Sequence, residues 1–364
     1  MKMVEAQEPA EAMQERDAIL PSKHPLVAVV TPVYNGAKFL ATAMQSVQAQ
    51  TYRPLLHVVL DNASTDTTPA IIQKFQGLDV PVLSMRNVSV LPAPRNWSEA
   101  VRLVPNEAKY FKLLCADDSM RADAIARMIE LAERASDVRV VLGVDNYNGV
   151  PRWSNLPPGL SIFESNNMLA RIWSDLANVP YHHAMYRTDL RDPAIDFFDS
   201  KVIGFDVDAA FRELFGGGRC GFVHDPIFET IGHADSLTST WTNKVAAQSL
   251  ERLARFEHYG PAALSQAEHR RIAKRELRIL CRKLLWRFAI GKRAMAKRDL
   301  QLLAERGHKL TLADVALSIA TWPGHLYYRK VTRLRPHRPW PATAAKPAEA
   351  EPVAPSPLPE RNAS

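Results

Sequence analysis

Cysteine is scarce and long apolar runs are absent from this sequence. The 364 residues include three cysteines, Cys115, Cys220 and Cys281, which lie far apart and in no metal-ligand spacing. This pattern predicts a reducing cytoplasm and no disulfide framework. No stretch approaches the roughly 20 apolar residues of a membrane-spanning helix. The first 20 residues are acidic and lack an apolar core, so we expect no secretory signal.

Positive charge is concentrated in one region. The net charge is +7, yet residues 270–298 alone hold twelve Lys or Arg and a single acid, Glu276, a local charge of +11. Nucleic-acid binding would need base-stacking aromatics among the basic residues or a known module, and neither is present. The sequence therefore predicts no nucleic-acid partner.

Apolar strand-like runs alternate with helical segments through the first third of the chain. The β-branched runs are apolar throughout rather than alternating, which indicates a mostly parallel sheet with helices on both faces. The predicted strands are 26–35, 55–66, 81–87, 110–118 and 138–144, and the predicted helices are 37–50, 69–78, 96–104 and 123–136.

Polar residues end three of these strands, in the segments TPVYN, DNASTD and ADD. Ligands bind beyond the carboxyl ends of parallel strands, so we expect the three segments on one rim. Tyr34 could stack on a planar base, with backbone groups of Thr31 and Val33 at its edge. Asp61 could accept hydrogen bonds from a base or a ribose. The alternative is that these residues only form turns and helix caps.

Asp117 and Asp118 end a buried strand with two like charges, which repel each other and resist desolvation. One explanation is a strand that simply reaches the surface and turns. The other is a Mg²⁺ or Mn²⁺ site, since these ions take one or two carboxylates together with phosphate oxygens. The second explanation accounts better for the charge repulsion.

Other polar residues are candidates for the same chemistry. Arg95 precedes a short helix and could contact a phosphate. In GFDVDAAF, Asp206 could be a general base, and either it or Asp208 could instead cap the helix. His233 could reach a diphosphate or a metal. A further pair, His182 and His183, has no partner at metal spacing and is interpreted as structural.

Together these motifs resemble the inverting family 2 glycosyltransferases of GT-A fold. The similarity covers about residues 24–240 and includes TPVYN, DNASTD, RNWSEAV, YFKLLCADDSM, FDVD and H-x-x-S-L-T in the family's order. It implies an α/β fold with a Rossmann-like mixed sheet flanked by helices, followed by a C-terminal helical extension. Two departures are Cys115, where many relatives have a third acid, and Phe205, where a Glu is usual.

The resemblance also implies roles for individual residues. The nucleotide-sugar would contact the residues Thr31, Val33, Tyr34, Asp61, Arg95 and Asp117. Asp118 and His233 would hold Mg²⁺ or Mn²⁺, and Asp206 would be the catalytic base. The implied reaction moves a sugar from a nucleotide-diphospho-sugar to an acceptor hydroxyl, on a growing polysaccharide or a lipid-linked glycan, with inversion.

The predicted domain organisation follows from composition and from this resemblance. Residues 24–245 would be the GT-A domain, with a nucleotide-binding half (24–150) and an acceptor half (151–245). The predicted flanking segments are a disordered leader at 1–23, a basic helical extension at 246–335 and a disordered Pro/Ala-rich tail at 336–364.

Two questions remain open at the level of sequence. The basic helix at 270–298 could bind an anionic membrane at the inner face of the cytoplasmic membrane, or it could pack its apolar stripe on the catalytic domain. Alternative functions are a nucleotidyltransferase, which would need a Gly-rich basic loop after the first strand, and a non-catalytic glycan- or nucleotide-binding protein of the same fold.

Overall fold

The computed structural model describes residues 24–192, 194–198, 204–234, 236, 247–324 and 326. The predicted leader at 1–23 and the predicted tail at 336–364 lie outside the described residues. No helix within the described part of the chain is long and apolar enough to cross a membrane.

Ten strands of the described residues belong to one mixed sheet. They are β1 (Val27–Val33), β2 (Leu55–Asp61), β3 (Val82–Arg86), β4 (Tyr110–Leu113), β5 (Ser119–Met120), β6 (Val138–Tyr147), β7 (Val150–Pro151), β8 (Ile162–Glu164), β9 (Met185–Arg187) and β10 (Arg219–Thr230). The main order is β3-β2-β1-β4-β9-β6-β10-β5, with β7 paired to β6 and β8 to β10.

The helices cover the sheet and then continue beyond it. They are α1 (Leu40–Gln48), α2 (Thr68–Gln73), α3 (Ala93–Arg102), α4 (Ala124–Ala132), α5 (Ser165–Trp173), α6 (Phe205–Phe215), α7 (Ala247–Ala263), α8 (Gln266–Ala289), α9 (Arg293–Glu305) and α10 (Leu312–Ala320). Short 3₁₀ turns lie at Tyr181–His183 and Thr188–Leu190.

Strand β1 is buried over its full length because both faces of the sheet are covered. Ala28 and Val30 belong to the cluster that includes residues of α3, whereas Val27 and Val29 belong to the cluster that includes residues of α1 and α4. The alternation of strand side chains sends successive residues to opposite helix layers. The prediction of apolar strands buried on both sides is therefore confirmed.

The parallel strands bring their carboxyl ends to one rim. β1 pairs in parallel with β2 and with β4, and Val33 lies opposite Asp61 in that register. Leu114 N donates to Val30 O at 2.9 Å, so the chain after β4 leaves the sheet beside the end of β1. The three predicted polar segments thus share an edge.

The middle of the sheet differs from the sequence-based prediction. β9 is antiparallel to both β4 and β6 and separates them, and β10 is a bulged parallel partner of β6. The segment that forms β9 has an irregular apolar pattern, and its place depends on contacts with strands more than 40 residues away. That insertion brings His182 and His183 to the rim.

The basic helix α8 buries its apolar stripe. Leu280 and Leu284 belong to a cluster with Leu250 and Leu253 of α7 and residues of α9. Glu276 accepts hydrogen bonds from Arg252 and Arg275, so part of the positive charge is already paired within the helical region.

Candidate active site at the carboxyl rim of the sheet

The rim begins where β1 and β2 end side by side. Asn62 N donates to Val33 O at 2.8 Å, which extends the pairing of the two strands by one residue. Tyr34 follows directly and is half exposed. A ring in this position is available to a planar ligand lying across the strand ends.

The loop after β2 holds the loop after β1. The backbone N–H groups of residues 35–37 donate in turn to Ser64 Oγ, Thr68 Oγ1 and Asp66 Oδ2, at 2.8 to 3.0 Å. These side chains therefore satisfy backbone donors, as the capping interpretation of Ser64 and Asp66 expects.

Asp61 has one oxygen in use and one without a hydrogen bond. Its side chain is buried, and Oδ1 accepts from Ser64 N at 3.0 Å. Its Oδ2 is buried with no hydrogen-bond partner among the described residues, 3.4 Å from Arg86 Nη1. A buried acceptor without a donor is costly, so this oxygen is suited to a ligand N–H or O–H.

The Thr31 side chain is hydrogen-bonded in the protein interior. Its Oγ1 lies 3.0 Å from Nε2 of the buried His57. Burial lowers the pKa of His57 to about 3, so the imidazole is neutral at physiological pH. Any ligand contact from Thr31 would therefore use backbone groups, as the sequence analysis expects.

Asp117 and Asp118 follow β4 and lie in two different environments. Asp118 is 4% exposed and its Oδ1 accepts from Ile231 N at 3.2 Å, whereas the Asp117 side chain is 29% exposed. Burial, followed by the neighbouring charge of Asp117, raises the pKa of Asp118 to about 8. The pair therefore holds negative charge poorly unless a cation is supplied.

His233 closes over the pair from the loop after β10. Its Nε2 lies 2.9 Å from Asp117 Oδ2, and its ring packs on Phe39 with 4.7 Å between centroids. His233 thus contacts Asp117 directly, while Ile231, two residues earlier, donates to Asp118. The structure brings His233 to the acid pair predicted as its neighbour.

A buried polar chain also reaches Asp118, through residues that sequence spacing could not connect. Thr230 Oγ1 donates to Asp145 Oδ2 at 2.7 Å and must therefore accept from the ring nitrogen His183 Nε2, 2.9 Å away. That nitrogen is also 3.7 Å from Asp118 Oδ2. The expectation that His183 has no partner at metal spacing is wrong, because β9 places it there.

His182 and His183 are neutral, and the charged group of this hydrogen-bond network is Asp145. Burial lowers the pKa of His182 to about 4 and also lowers the pKa of His183 well below its usual value. Asp145 is fully buried and accepts two hydrogen bonds from Arg152. The Asp145 carboxylate is thus compensated by a guanidinium, whereas Asp118 has no guanidinium partner among the described residues.

Lys112 is the cation that comes nearest to balancing the negative charge of Asp118. It is completely buried on β4, donates to Leu113 O and lies 4.5 Å from the centroid of the Phe228 ring. Burial lowers its pKa to about 7, with Cys115 and Asp118 opposing that shift. A partly neutral lysine cannot balance the acid pair fully.

Asp206 approaches the same group from the first turn of α6. It is partly buried, and this burial raises the pKa of its carboxyl group. The pKa of the Cys115 thiol is raised by burial and then by the charges of Asp118, Asp117 and Asp206. Asp208, in contrast, accepts a hydrogen bond from Tyr259 on α7 at 3.2 Å.

Arg95 occupies a different setting. It lies on the first turn of α3, which begins at Ala93, three residues before the predicted start. Its guanidinium pairs with Asp196 at 2.7 Å and with Glu99 at 2.6 Å. These two carboxylates would have to be displaced or shared for Arg95 to contact a phosphate.

Two groups of possible ion ligands lie within the described residues: Asp118 with His182 and His183, and Cys115 with Asp117 and Asp118. The ring nitrogen Nε2 of each histidine is engaged with Thr230. The aspartate pair offers hard oxygen atoms on the more exposed side of the turn. The second group therefore fits Mg²⁺ or Mn²⁺ better, through its carboxylates.

Comparisons with known proteins agree with this arrangement. The family model of glycosyl transferase family 2 matches residues 28–192. An uncharacterized glycosyltransferase of Rickettsia prowazekii, RP339, is 25% identical over 228 residues, covering 61% of this chain and 68% of the relative. The succinoglycan biosynthesis protein ExoO of Rhizobium meliloti is 28% identical over 213 residues, covering 54% of this chain and 58% of the relative.

Solved structures show the same fold. Staphylococcus aureus TarS 1–349 in complex with UDP-GlcNAc has a TM-score of 0.54 at 17% identity, over 70% of this chain and 72% of that one. The mannosyltransferase PcManGT of Pyrobaculum calidifontis, in complex with GDP-Man and Mn²⁺, has a TM-score of 0.50 at 17% identity, over 86% and 84%. The predicted GT-A fold is thereby confirmed. Over residues 28–192, this chain is therefore similar to the glycosyl transferase family 2 domain.

Proposed function

We propose that the chain transfers a sugar from a nucleotide-diphospho-sugar to an acceptor hydroxyl, with inversion at the anomeric carbon. The single observation that carries this proposal is the acid pair Asp117–Asp118 at the end of β4, on the same rim as the unsatisfied oxygen of Asp61. The nucleoside would bind near Asp61 at one end of the rim, and the diphosphate would bind near the acid pair at the other end.

The donor would lie across the strand ends. Tyr34 would stack on the base, backbone groups of Thr31 and Val33 would contact its edge, and Asp61 Oδ2 would accept from the base or ribose. Asp117 would contact the ribose. Arg95 would approach the nucleotide after exchanging one of its two carboxylate partners. Support comes from the complexes of similar structures with UDP-GlcNAc and with GDP-Man and Mn²⁺.

Asp118 and His233 would hold Mg²⁺ or Mn²⁺, with Asp117 beside them. The fit is supported by the raised pKa of Asp118, which has burial and a neighbouring carboxylate as its causes. When bound, the ion would neutralise charge that develops on the departing diphosphate. The chain's own part is to hold Asp118 in place through the donation from Ile231 N, while His233 Nε2, which donates to Asp117 in the absence of an ion, would exchange that contact for the ion.

Asp206 would act as the general base. Partial burial at the start of α6 raises the pKa of its carboxyl group, and a higher pKa makes a carboxylate a better proton acceptor. It would take the proton of the acceptor hydroxyl as that oxygen attacks the anomeric carbon from the face opposite the diphosphate. The leaving nucleoside diphosphate keeps the electron pair of the broken glycosidic bond.

The acceptor would be a growing polysaccharide or a lipid-linked glycan, used at the inner face of the cytoplasmic membrane. The names of two relatives, a succinoglycan biosynthesis protein and a putative teichuronic acid biosynthesis glycosyltransferase, support the polysaccharide class. The match covers 58% of the first relative and 41% of the second.

The test is turnover of a panel of UDP-, GDP- and deoxythymidine-diphosphate sugars with Mn²⁺ or Mg²⁺, followed by mass spectrometry. Release of nucleoside diphosphate, by transfer or by slow hydrolysis, is the expected result. Release of pyrophosphate from a nucleoside triphosphate and a sugar phosphate would indicate a nucleotidyltransferase. Binding without any turnover would indicate a non-catalytic protein.

A further inference from the structure

The corner between α8 and α9 exposes apolar and basic side chains together. We call this the corner surface and define it by the residues Trp286, Phe288, Ile290, Lys292, Arg293 and Lys297. The three apolar side chains are 59%, 38% and 45% exposed, and the three cations are exposed as well. All six lie within twelve consecutive residues, at the end of α8, the turn at Gly291 and the first two turns of α9.

The apolar residues of the corner surface are not part of the stripe that holds α8 in place. That stripe is buried: Leu280 is 1% and Leu284 is 3% exposed. The exposed residues begin two positions later and continue through Gly291, where the chain turns into α9. A tryptophan and two further large apolar residues at one exposed corner form a patch that folding of the helical region does not explain.

The cations of the corner surface carry uncompensated charge. Within the described residues, Lys292, Arg293 and Lys297 have no carboxylate within ion-pair distance. The nearest acid in sequence, Asp299, is 2% exposed and is paired with Arg287. The corner therefore presents unpaired positive charge to the outside, and the exposed Glu305 of α9 lines a groove with Lys297 without forming an ion pair with it.

Helix α10 adds apolar surface next to this corner. Arg282 of α8 donates to Ser318 O and to Thr321 Oγ1, which fixes the end of α10 against α8. Trp286 is one helical turn beyond Arg282 on the same side of α8. In α10, Leu317 and Ile319 are 46% and 53% exposed.

We propose that the corner surface binds the face of an anionic lipid bilayer. Tryptophan favours the boundary between headgroups and acyl chains, and lysine and arginine are attracted to anionic headgroups. The apolar groups of the corner surface are complementary to the boundary with the acyl chains, and its basic groups are complementary to the anionic headgroups. The reason for docking rests on the proposed function, since a lipid-linked acceptor would then be within reach, but the binding itself needs no turnover.

The test is sedimentation of the full-length chain with vesicles of phosphatidylcholine alone or with 30% phosphatidylglycerol. Two variants probe the corner: Trp286→Ser with Ile290→Ser, and Lys292→Glu with Arg293→Glu. The matched controls are Leu78→Ser and Lys74→Glu, at an exposed apolar and an exposed basic residue of the catalytic domain. Nucleotide binding is measured on every variant as a check of the fold.

The proposal predicts binding that is at least roughly tenfold tighter to the anionic vesicles, and a loss of roughly tenfold or more in each corner variant with no change in the controls. Equal binding to both vesicles, equal losses in the controls, or unchanged binding in the corner variants would overturn it. Dimerisation that the corner variants abolish, seen by sedimentation velocity without lipid, would also overturn it by assigning the surface to a second copy. Vesicle binding with no nucleotide-sugar turnover would instead count against the proposed function alone.

Discussion

His233 Nε2 lies 2.9 Å from Asp117 Oδ2, so the loop after β10 is joined directly to the acid pair that ends β4. In the same loop, Ile231 N donates to Asp118, and Gly232 N donates to Asn148 Oδ1 at 3.0 Å. Addition of a side chain at Gly232 would clash with the Tyr147 hydroxyl. The loop is thus seated closely on the acid pair.

Replacing His233 by Asn should weaken metal-dependent nucleotide binding by about tenfold, because the imidazole contacts Asp117 and would help to hold the ion. Calorimetry with UDP or GDP in the presence of Mn²⁺ measures the effect. His224→Asn is the matched control, since that partly buried histidine bonds Leu160 O instead. Equal losses in the two variants would remove His233 from the site.

Replacing Asp206 by Asn should lower kcat by about a hundredfold or more, because it removes the group that accepts the acceptor's proton. Nucleotide affinity should stay within about twofold. Asp208→Asn, two residues along the same helix, removes an acceptor that Tyr259 uses and should leave kcat nearly unchanged. An active Asp206→Asn enzyme would exclude Asp206 as the base.

Stability without metal should depend on pH through Asp118. Its pKa is about 8 in the folded chain and about 3.9 when unfolded, so the folded state holds a proton that the unfolded state has lost between those values. This group's contribution to stability therefore falls as pH rises from about 4 to about 8. Asp118→Asn removes the penalty and should raise Tm over wild type by a gap that widens between pH 5 and pH 8.5. A gap that is constant with pH would contradict the buried carboxyl group.

Asp61→Asn should lower nucleotide affinity by about 10- to 100-fold, since it replaces the buried acceptor Oδ2 by an amide donor or reverses the contact with Ser64 N. Asp79→Asn, at an exposed turn of the same domain, is the control. The measurement is a titration with nucleoside diphosphate at saturating Mn²⁺. Full affinity in Asp61→Asn would mean that the unsatisfied oxygen does not meet the ligand.

The local sequence pattern predicts most of the strands and helices of residues 24–150. The predicted strand segments contain β1, β2, β3 and β4 and overlap β6 because an apolar run between turn residues has few other structures open to it. The predicted helices 37–50, 69–78, 96–104 and 123–136 overlap α1 to α4, with ends that differ by a few residues. The acid pair, Asp61 and Tyr34 lie on one rim as parallel pairing of β1 with its neighbours requires.

The fold of the remaining residues could not be predicted from local sequence patterns. His183 lies near Asp118 because β9 enters the sheet between β4 and β6. A pairing between strands that are distant in sequence cannot be predicted from the residues of either strand alone. The full burial of Lys112 follows from the same insertion, which makes β4 an interior strand. The sequence left open whether residues 270–298 bind an anionic membrane or pack on the rest of the chain. Helical periodicity marks the buried stripe of α8 and does not show which residues at its end stay exposed.

The most direct measurement of the central claim is calorimetric titration of the chain with UDP and GDP, with and without Mn²⁺, in wild type and in Asp118→Ala, with Asp79→Ala as control. We expect binding of at least one nucleotide that Mn²⁺ strengthens by about tenfold or more, loss of that strengthening in Asp118→Ala, and no change in the control. Nucleotide binding that is the same with and without Mn²⁺, or that survives unchanged in Asp118→Ala, would contradict the assignment of the acid pair to a nucleotide–metal site.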